Sequence, residues 1–101
     1  MSLFSRLFGK STDFKTLYES GAIILDVRTP QEFRSGHVRN ALNVPVGRLK
    51  SYIPQLKEEG KPVITCCRSG ARSAMAKSML VSAGLEAYNG GPWNSLEKQL
   101  Q

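Results

Sequence analysis

Metal ligands are scarce in this chain, which has one histidine, His37, and two adjacent cysteines, Cys66 and Cys67, in 101 residues. A structural zinc takes four ligands, so no metal site is expected, and neighbouring cysteines make a poor disulfide. The lone histidine also argues against a thiol protease, whose dyad needs an imidazole beside the cysteine and a third residue to orient it. We read His37 as structural. No apolar run approaches the roughly 20 residues needed to span a membrane. Met1 to Lys10 shows no continuous apolar core and no small-residue cleavage site, so no signal peptide is expected and a cytoplasmic location is. Acids are missing from Lys61 to Leu85, a stretch that holds Lys61, Arg68, Arg72 and Lys77. A net charge of +6 could suit nucleic acid, but the remaining basic residues are scattered and no nucleic-acid motif accompanies them. The bias centres on one loop instead, which favours a small anionic substrate.

That loop follows Val63-Ile64-Thr65-Cys66-Cys67, a β-branched run that reads as an inner parallel strand, and it opens into a helix through Ala74-Met75-Ala76-Lys77-Ser78-Met79-Leu80. In open α/β sheets, ligands bind outside the carboxyl ends of the strands, and a helix N-terminus offers unpaired N–H groups and partial positive charge. Both features converge on Cys67. A thiol with an ordinary pKa of about 8.5 is only a few per cent ionised at neutral pH, and the thiolate is the nucleophile. A helix dipole worth about 0.3 to 1 kcal/mol is too weak to change this alone, because one pKa unit is about 1.36 kcal/mol. Converging N–H groups and the flanking Arg68 and Arg72 must supply the rest, and small Ser69, Gly70 and Ala71 let the backbone curl around the sulfur. Successive strand residues face opposite sides, so Cys66 is expected to enter the core and Cys67 to sit at the strand's lip.

At 101 residues the chain is one domain. Leu3, Phe4, Leu7 and Phe8 fall at helical spacing with Arg6 and Lys10 opposite, so residues 1–12 read as a tail or short amphipathic segment and 13–101 as the domain. Contact of that segment with a membrane is not the favoured reading. Asp13 to Ser20 reads as a helix stopped by Gly21, and Ala22 to Val27 as a buried strand. Thr29-Pro30-Gln31-Glu32 is a capping box with proline at the first helical position, so a helix starts there and ends at Gly36. Asp26 and Arg28 are read as supporting residues that ion-pair and brace the loop, ahead of a direct catalytic role. Ala41 to Val44 is a short strand closed by Pro45. Val46 to Glu59 reads as two short helices broken at Pro54 and ended by Gly60. Gly84 caps the helix after the cysteines, Leu85 to Asn89 is a last strand, and Gly90-Gly91-Pro92 turns into a final helix with Trp93, Leu96 and Leu100 as its buried stripe. Strands alternating with helices imply a doubly wound α/β domain.

The loop from Cys67 to Arg72, Cys-Arg-Ser-Gly-Ala-Arg, resembles the active loop of the rhodanese family of sulfurtransferases. The likeness extends upstream to Leu25-Asp26-Val27-Arg28 with Glu32-Phe33, and to Gly36-His37-Val38-Arg39-Asn40-Ala41-Leu42-Asn43-Val44-Pro45. Downstream, Asn89-Gly90-Gly91 and Trp93 resemble the family's terminal double glycine and tryptophan. Two departures stand out. Asn40 replaces the usual glycine, which is mild because asparagine tolerates a left-handed backbone, and the double glycine lies closer than usual to the tryptophan. The family's first edge strand would fall near Lys10 to Thr12, where no strand pattern is visible.

The resemblance implies a small doubly wound parallel sheet of four to five strands flanked by helices. It also implies that Cys67 takes sulfur from thiosulfate or a related donor as a persulfide and passes it to cyanide or a thiol. Backbone N–H groups from Arg68 to Ser73 would then cradle the sulfur, while Arg68 and Arg72 would hold the donor's oxygens. No cofactor is called for, because the cysteine carries the transferred group. Two alternatives remain open at this stage. Cys66 to Arg72 also reads Cys-x5-Arg, as in cysteine phosphatases and arsenate reductases, with Cys66 then the nucleophile. The same fold also serves as a non-catalytic partner-binding module or a sulfur relay to another protein.

Overall fold

The computed structural model describes residues 12–101. Met1 to Lys10, with the amphipathic spacing read there, lie outside the described residues, as does most of the expected edge strand. Of that strand only Thr12 is described, and it carries no regular structure.

Helix α1 (Phe14–Glu19) opens the domain with Asp13 as its N-cap, the carboxylate accepting from the Thr16 N–H. Then come β1 (Ile23–Asp26), α2 (Pro30–Arg34) and β2 (Leu42–Asn43), followed by a 3-10 turn at Val46–Arg48 and α3 (Leu49–Glu59). The second half is β3 (Val63–Cys67), α4 (Ala71–Ser82), β4 (Ala87–Pro92) and α5 (Trp93–Gln99). All four strands are parallel, in the order β2-β1-β3-β4. The β-branched runs of β1 and β3 therefore lie in the middle of the sheet, where both faces must be apolar.

Alternation along these two strands makes two cores. Leu25, Val27, Val63 and Cys67 face Leu49 and Leu56 of α3 and Ala76 and Leu80 of α4. Ile24, Ile64 and Cys66 face the opposite way, toward Leu96 of α5 and Val38, with Phe14, Leu17 and Tyr18 of α1 packed alongside. Helices on both faces make the fold doubly wound, as the strand and helix alternation implies. The C-terminal helix begins on Trp93 itself, so the short spacing from the double glycine starts this helix directly at the tryptophan. Asn40 does adopt a left-handed backbone, with φ 66°.

Two local expectations need correcting. Pro54 does not divide the helical region, because it lies inside a continuous α3 and the break comes earlier, where the 3-10 turn gives way at Leu49. Losing one N–H to Lys50 is tolerable on this exposed face, while Leu49 and Leu56, two turns apart, anchor the helix from below. Gly90-Gly91-Pro92 is not a turn outside the sheet either. It continues β4 through an irregularity in the register with β3 between Thr65 and Cys67, so that Pro92 pairs with Cys67. Such an irregularity bends the strand and re-aims its residues next to a site.

Gly90 shows why a glycine sits in that bend. A Cβ there would lie 2.8 Å from the Thr65 carbonyl oxygen and 2.9 Å from side-chain carbons of Ile64 and Leu96. Neither the backbone nor the packed core can yield cheaply. We expect Gly90→Ala to lower unfolding stability by about 1 to 3 kcal/mol in urea titrations, the usual cost of overpacking. Gly47→Ala, where a Cβ would meet nothing within 4 Å, should stay near wild type. Equal midpoints for the two variants would show that β4 can move away from β3.

Candidate active site

The site forms where β3 ends and α4 begins. Cys67 is the last strand residue, and Gly70, in a left-handed conformation at φ 106°, is the N-cap of α4. This turn brings the Gly70 N–H to 3.0 Å and the Ser73 N–H to 3.4 Å from the Cys67 sulfur, with the Ser73 hydroxyl at 3.3 Å. Burial is the largest single influence on this thiol and opposes its ionisation. Hydrogen bonds from the Ser73 hydroxyl and from the N–H groups of Ser73, Gly70 and Ser69 together outweigh it, so the Cys67 pKa lies below the ordinary thiol value. Cys67 ends the strand as expected, yet no part of it reaches solvent: its exposure is 0%.

Cys66 is in the opposite situation. Its side chain lies in the core on the other face of the sheet, and burial first, then the Asp26 carboxylate, push its thiol far up. The loop donors reach Cys67 and not its neighbour. A Cys-x5-Arg reading with Cys66 as nucleophile would need the reverse.

The arginines differ from one another. Arg72, expected as a cation flanking the sulfur, is held by Glu32 of α2 through two hydrogen bonds of 2.8 and 3.0 Å. The same Glu32 carboxylate completes the capping box with Thr29, accepting from its N–H and hydroxyl at 3.1 Å. Arg72 first, and the Thr29 N–H second, hold the Glu32 carboxyl down at about 2. Arg68 is exposed and makes no ion pair among the described residues. Ser69 and Ala71 are exposed on the loop's outer side, and Ser73 is buried beneath it.

Asp26 and Arg28 lie at the end of β1, next to β3. Both are buried, and Arg28 binds Asp26 through Nε and Nη2 at 2.7 to 3.1 Å. Arg28 also donates to the Gly36 carbonyl at 2.7 Å and stacks over Trp93 at 5.0 Å. Every polar atom of this pair that needs a partner in the protein interior has one, which is what makes a buried pair tolerable. It ties β1, the end of α2 and the start of α5 together. His37 stacks on Phe33 with centroids 3.7 Å apart and bonds the Phe33 carbonyl through Nδ1, a local structural role. Among the described residues, no group of His, Cys, Asp and Glu gathers as metal ligands would.

Three contributors went unread in the sequence. Glu32 was visible as a helix cap and in the family resemblance, but its pairing with Arg72 was not. Thr65 donates its hydroxyl to the Ser73 carbonyl at 2.8 Å, pinning the first turn of α4 to β3. Asn89 bonds Ser73 and Gly70 from β4; its place in Asn89-Gly90-Gly91 was the one available signal.

A cysteine sulfur cradled by hydrogen-bond donors where a strand of a parallel α/β sheet gives way to a helix defines the class of site, and comparison with known proteins narrows it. The rhodanese-like domain profile matches residues 10–91, and the chain belongs to that family. It is 41% identical over 83 residues to thiosulfate sulfurtransferase 18 of Arabidopsis thaliana, covering 69% of this chain and 61% of the relative. The rhodanese-related protein of Thermoplasma volcanium superposes with a TM-score of 0.71 at 29% identity, covering 91% of this chain and 99% of that one. The human single-domain sulfurtransferase superposes with a TM-score of 0.63 at 30% identity, covering 82% and 88%. The chain spans about 60% of the length of the Arabidopsis relative. Proteins of the family work on sulfur donors and acceptors, and no helix among the described residues is long and apolar enough to cross a membrane.

The Glu32–Arg72 pair has a measurable pH signature. A carboxyl whose folded pKa is depressed adds stability that is present above the usual value of 4.5 and is lost as pH falls toward 2. Glu32→Gln keeps an amide oxygen to cap α2 but removes the titrating charge. We expect its urea midpoint to decline less than the wild type's between those pH values. Parallel curves would mean that the pair does not couple to folding.

Proposed function

We propose that this domain is a thiosulfate sulfurtransferase with Cys67 as its nucleophile. The observation that carries this reading is that the loop's hydrogen-bond donors converge on the Cys67 sulfur and lower its pKa, while Cys66 lies buried on the other face. In the first half-reaction the Cys67 thiolate attacks the outer sulfur of thiosulfate. The donor's S–S bond breaks, and sulfite leaves with the electron pair. The product is a Cys67 persulfide whose terminal sulfur carries the negative charge. In the second half-reaction cyanide or a thiolate attacks that terminal sulfur, and the Cys67 S–S bond breaks to return the thiolate. The products are thiocyanate or a new persulfide. No external oxidant or reductant is consumed.

The residues divide the work by position. N–H groups around Ser69, Gly70 and Ser73 hold the sulfur anion, and they cost no reorganisation because α4 already orients them. Arg68, with no carboxylate partner among the described residues, is the cation best placed to meet the donor's sulfonate oxygens. Arg72 uses two of its five N–H donors on Glu32 and keeps three for the substrate. Asp26 and Arg28 support the adjoining strand end. The physiological acceptor can equally be a protein thiol, in which case the domain is a relay that shares the first half-reaction. Residues 13–101 form the transferring domain in this reading, and residues 1–12 are an appendage.

Incubation with thiosulfate followed by intact mass spectrometry tests the assignment. The wild type and Cys66→Ser should each gain one sulfur atom, and Cys67→Ser should gain none. Transfer to cyanide should follow the same order. A persulfide that persists in Cys67→Ser and disappears in Cys66→Ser would overturn the proposal.

The proposed boundary is tested separately by deleting residues 1–9. Turnover of thiosulfate should remain within about twofold of the full chain. Fully burying each apolar side chain gains about 1.5 to 3 kcal/mol, while ordering each residue costs roughly 1 to 2, so the segment adds little net stability. Loss of turnover with an unchanged thermal midpoint would place those residues in the site.

A further inference from the structure

Asn89 stands outside the loop, at the exposed irregularity of β4, yet its side chain bonds both ends of the α4 entry. Its Oδ1 accepts from the Ser73 hydroxyl at 2.7 Å and from the Gly91 N–H at 2.9 Å. Its Nδ2 donates to the Gly70 carbonyl at 3.3 Å. The orientation of the amide is fixed by its neighbours, because a backbone N–H must meet the oxygen and a carbonyl must meet the nitrogen.

The Ser73 hydroxyl has one proton and three acceptors within reach. Asn89 Oδ1 lies at 2.7 Å, the Gly70 carbonyl at 3.1 Å and the Cys67 sulfur at 3.3 Å. With Cys67 as a neutral thiol, S–H donates to the serine oxygen and the serine proton goes to Asn89, so each group has its match. With Cys67 as a thiolate, the sulfur can only accept, and the serine proton serves either the anion or Asn89. It cannot serve both.

We propose that Asn89 is a positioning residue that competes with the Cys67 sulfur for the Ser73 hydroxyl proton and thereby sets how firmly the loop holds a sulfur anion. The inference rests on the reading of Cys67 as the nucleophile. In the thiolate the serine proton turns to the sulfur. In the persulfide the charge has moved one atom outward, Sγ no longer needs the donor, and the proton returns to Asn89. The competition therefore weakens the hold on the resting thiolate without weakening the hold of the backbone N–H groups on either state. Other charged groups near the thiol are Arg72 with its Glu32 partner, Arg68 on the loop, and the Asp26–Arg28 pair at the end of β1. None of these is altered by a change at residue 89.

The test is the pH dependence of Cys67 alkylation by iodoacetamide in the full chain, read by mass spectrometry. Asn89→Ala removes the competing acceptor, so the midpoint should fall by about one pH unit, because ionisation no longer has to break the hydrogen bond that the serine makes to Asn89 in the thiol state. Asn89→Asp offers a stronger acceptor of the same shape but also brings a negative charge that raises the midpoint by itself, so the competition is read from the part of its rise that disappears in a Ser73→Ala background. A role limited to holding the loop in place would move both variants in the same direction. In a Ser73→Ala background, Asn89→Ala should no longer lower the midpoint, because the shared proton is gone. Shifts of the same sign, or a fall that survives Ser73→Ala, would overturn the proposal. If Asn89→Ala does not fold, Asn89→Asp compared with and without Ser73→Ala still decides, since a rise that is as large without the serine hydroxyl is the added charge alone and contradicts the competition. Alkylation reads the thiol itself, so failure of sulfur transfer from thiosulfate would defeat the proposed function and leave this inference standing, and the converse holds as well.

Discussion

A sulfur anion enclosed by protein is tolerable only if hydrogen-bond donors replace the water it has lost. The structure around Cys67 is arranged to meet that requirement. Burial alone would push the thiol up, as it does for Cys66, and the two neighbouring residues form an internal comparison. They share a strand, and both are buried. What separates them is one step along the β pleat, which points Cys66 into the layer beneath α1 and α5 and leaves Cys67 facing the first turn of α4.

Keeping that turn in place requires support from three directions. From below, the Thr65 hydroxyl binds the Ser73 carbonyl. From the β4 side, Asn89 holds the Gly70 carbonyl and the Ser73 hydroxyl, and the close approach of Gly90 to Thr65 lets that strand come near enough to do so. From the β1 side, Glu32 holds Arg72 while capping its own helix. Each support comes from a different element, so the base of the loop is held from three sides. Donor groups fixed in this way need not reorganise when charge develops on sulfur, which is where electrostatic stabilisation is most effective.

The charge distribution follows from the same contacts. Pairing with Glu32 leaves Arg72 as a structural clamp with donors to spare, and Arg68 as the exposed loop cation without such a partner among the described residues. The Asp26–Arg28 pair is spent on joining β1 to the end of α2 and to Trp93. An excess of basic residues around the loop therefore does not translate into an equal excess of charge at the sulfur.

Much of this was legible in the residues, because the relevant signals are local. A β-branched run ending in Cys67, a small and basic loop and an apolar helix place the thiol at a strand-to-helix junction, and Thr29-Pro30-Gln31-Glu32 announces its capping box within four residues. The alternation of strands and helices gives the doubly wound class. Pro54 misled, since a proline breaks a helix only where the packing around it cannot hold the chain, and Leu49 and Leu56 hold it here. The strand β4 was read too short, because the irregularity that carries Gly90 through Pro92 along β3 exists only in the pairing of two strands. Sequence by itself determined which cysteine ends a strand and opens a helix, since pleat and helix periods are properties of consecutive residues. Tertiary structure alone decided that Glu32 clamps Arg72 from 40 residues away and that Asn89 meets Ser73 from 16 away, because partners brought together by crossovers between parallel strands leave no periodic trace in the chain.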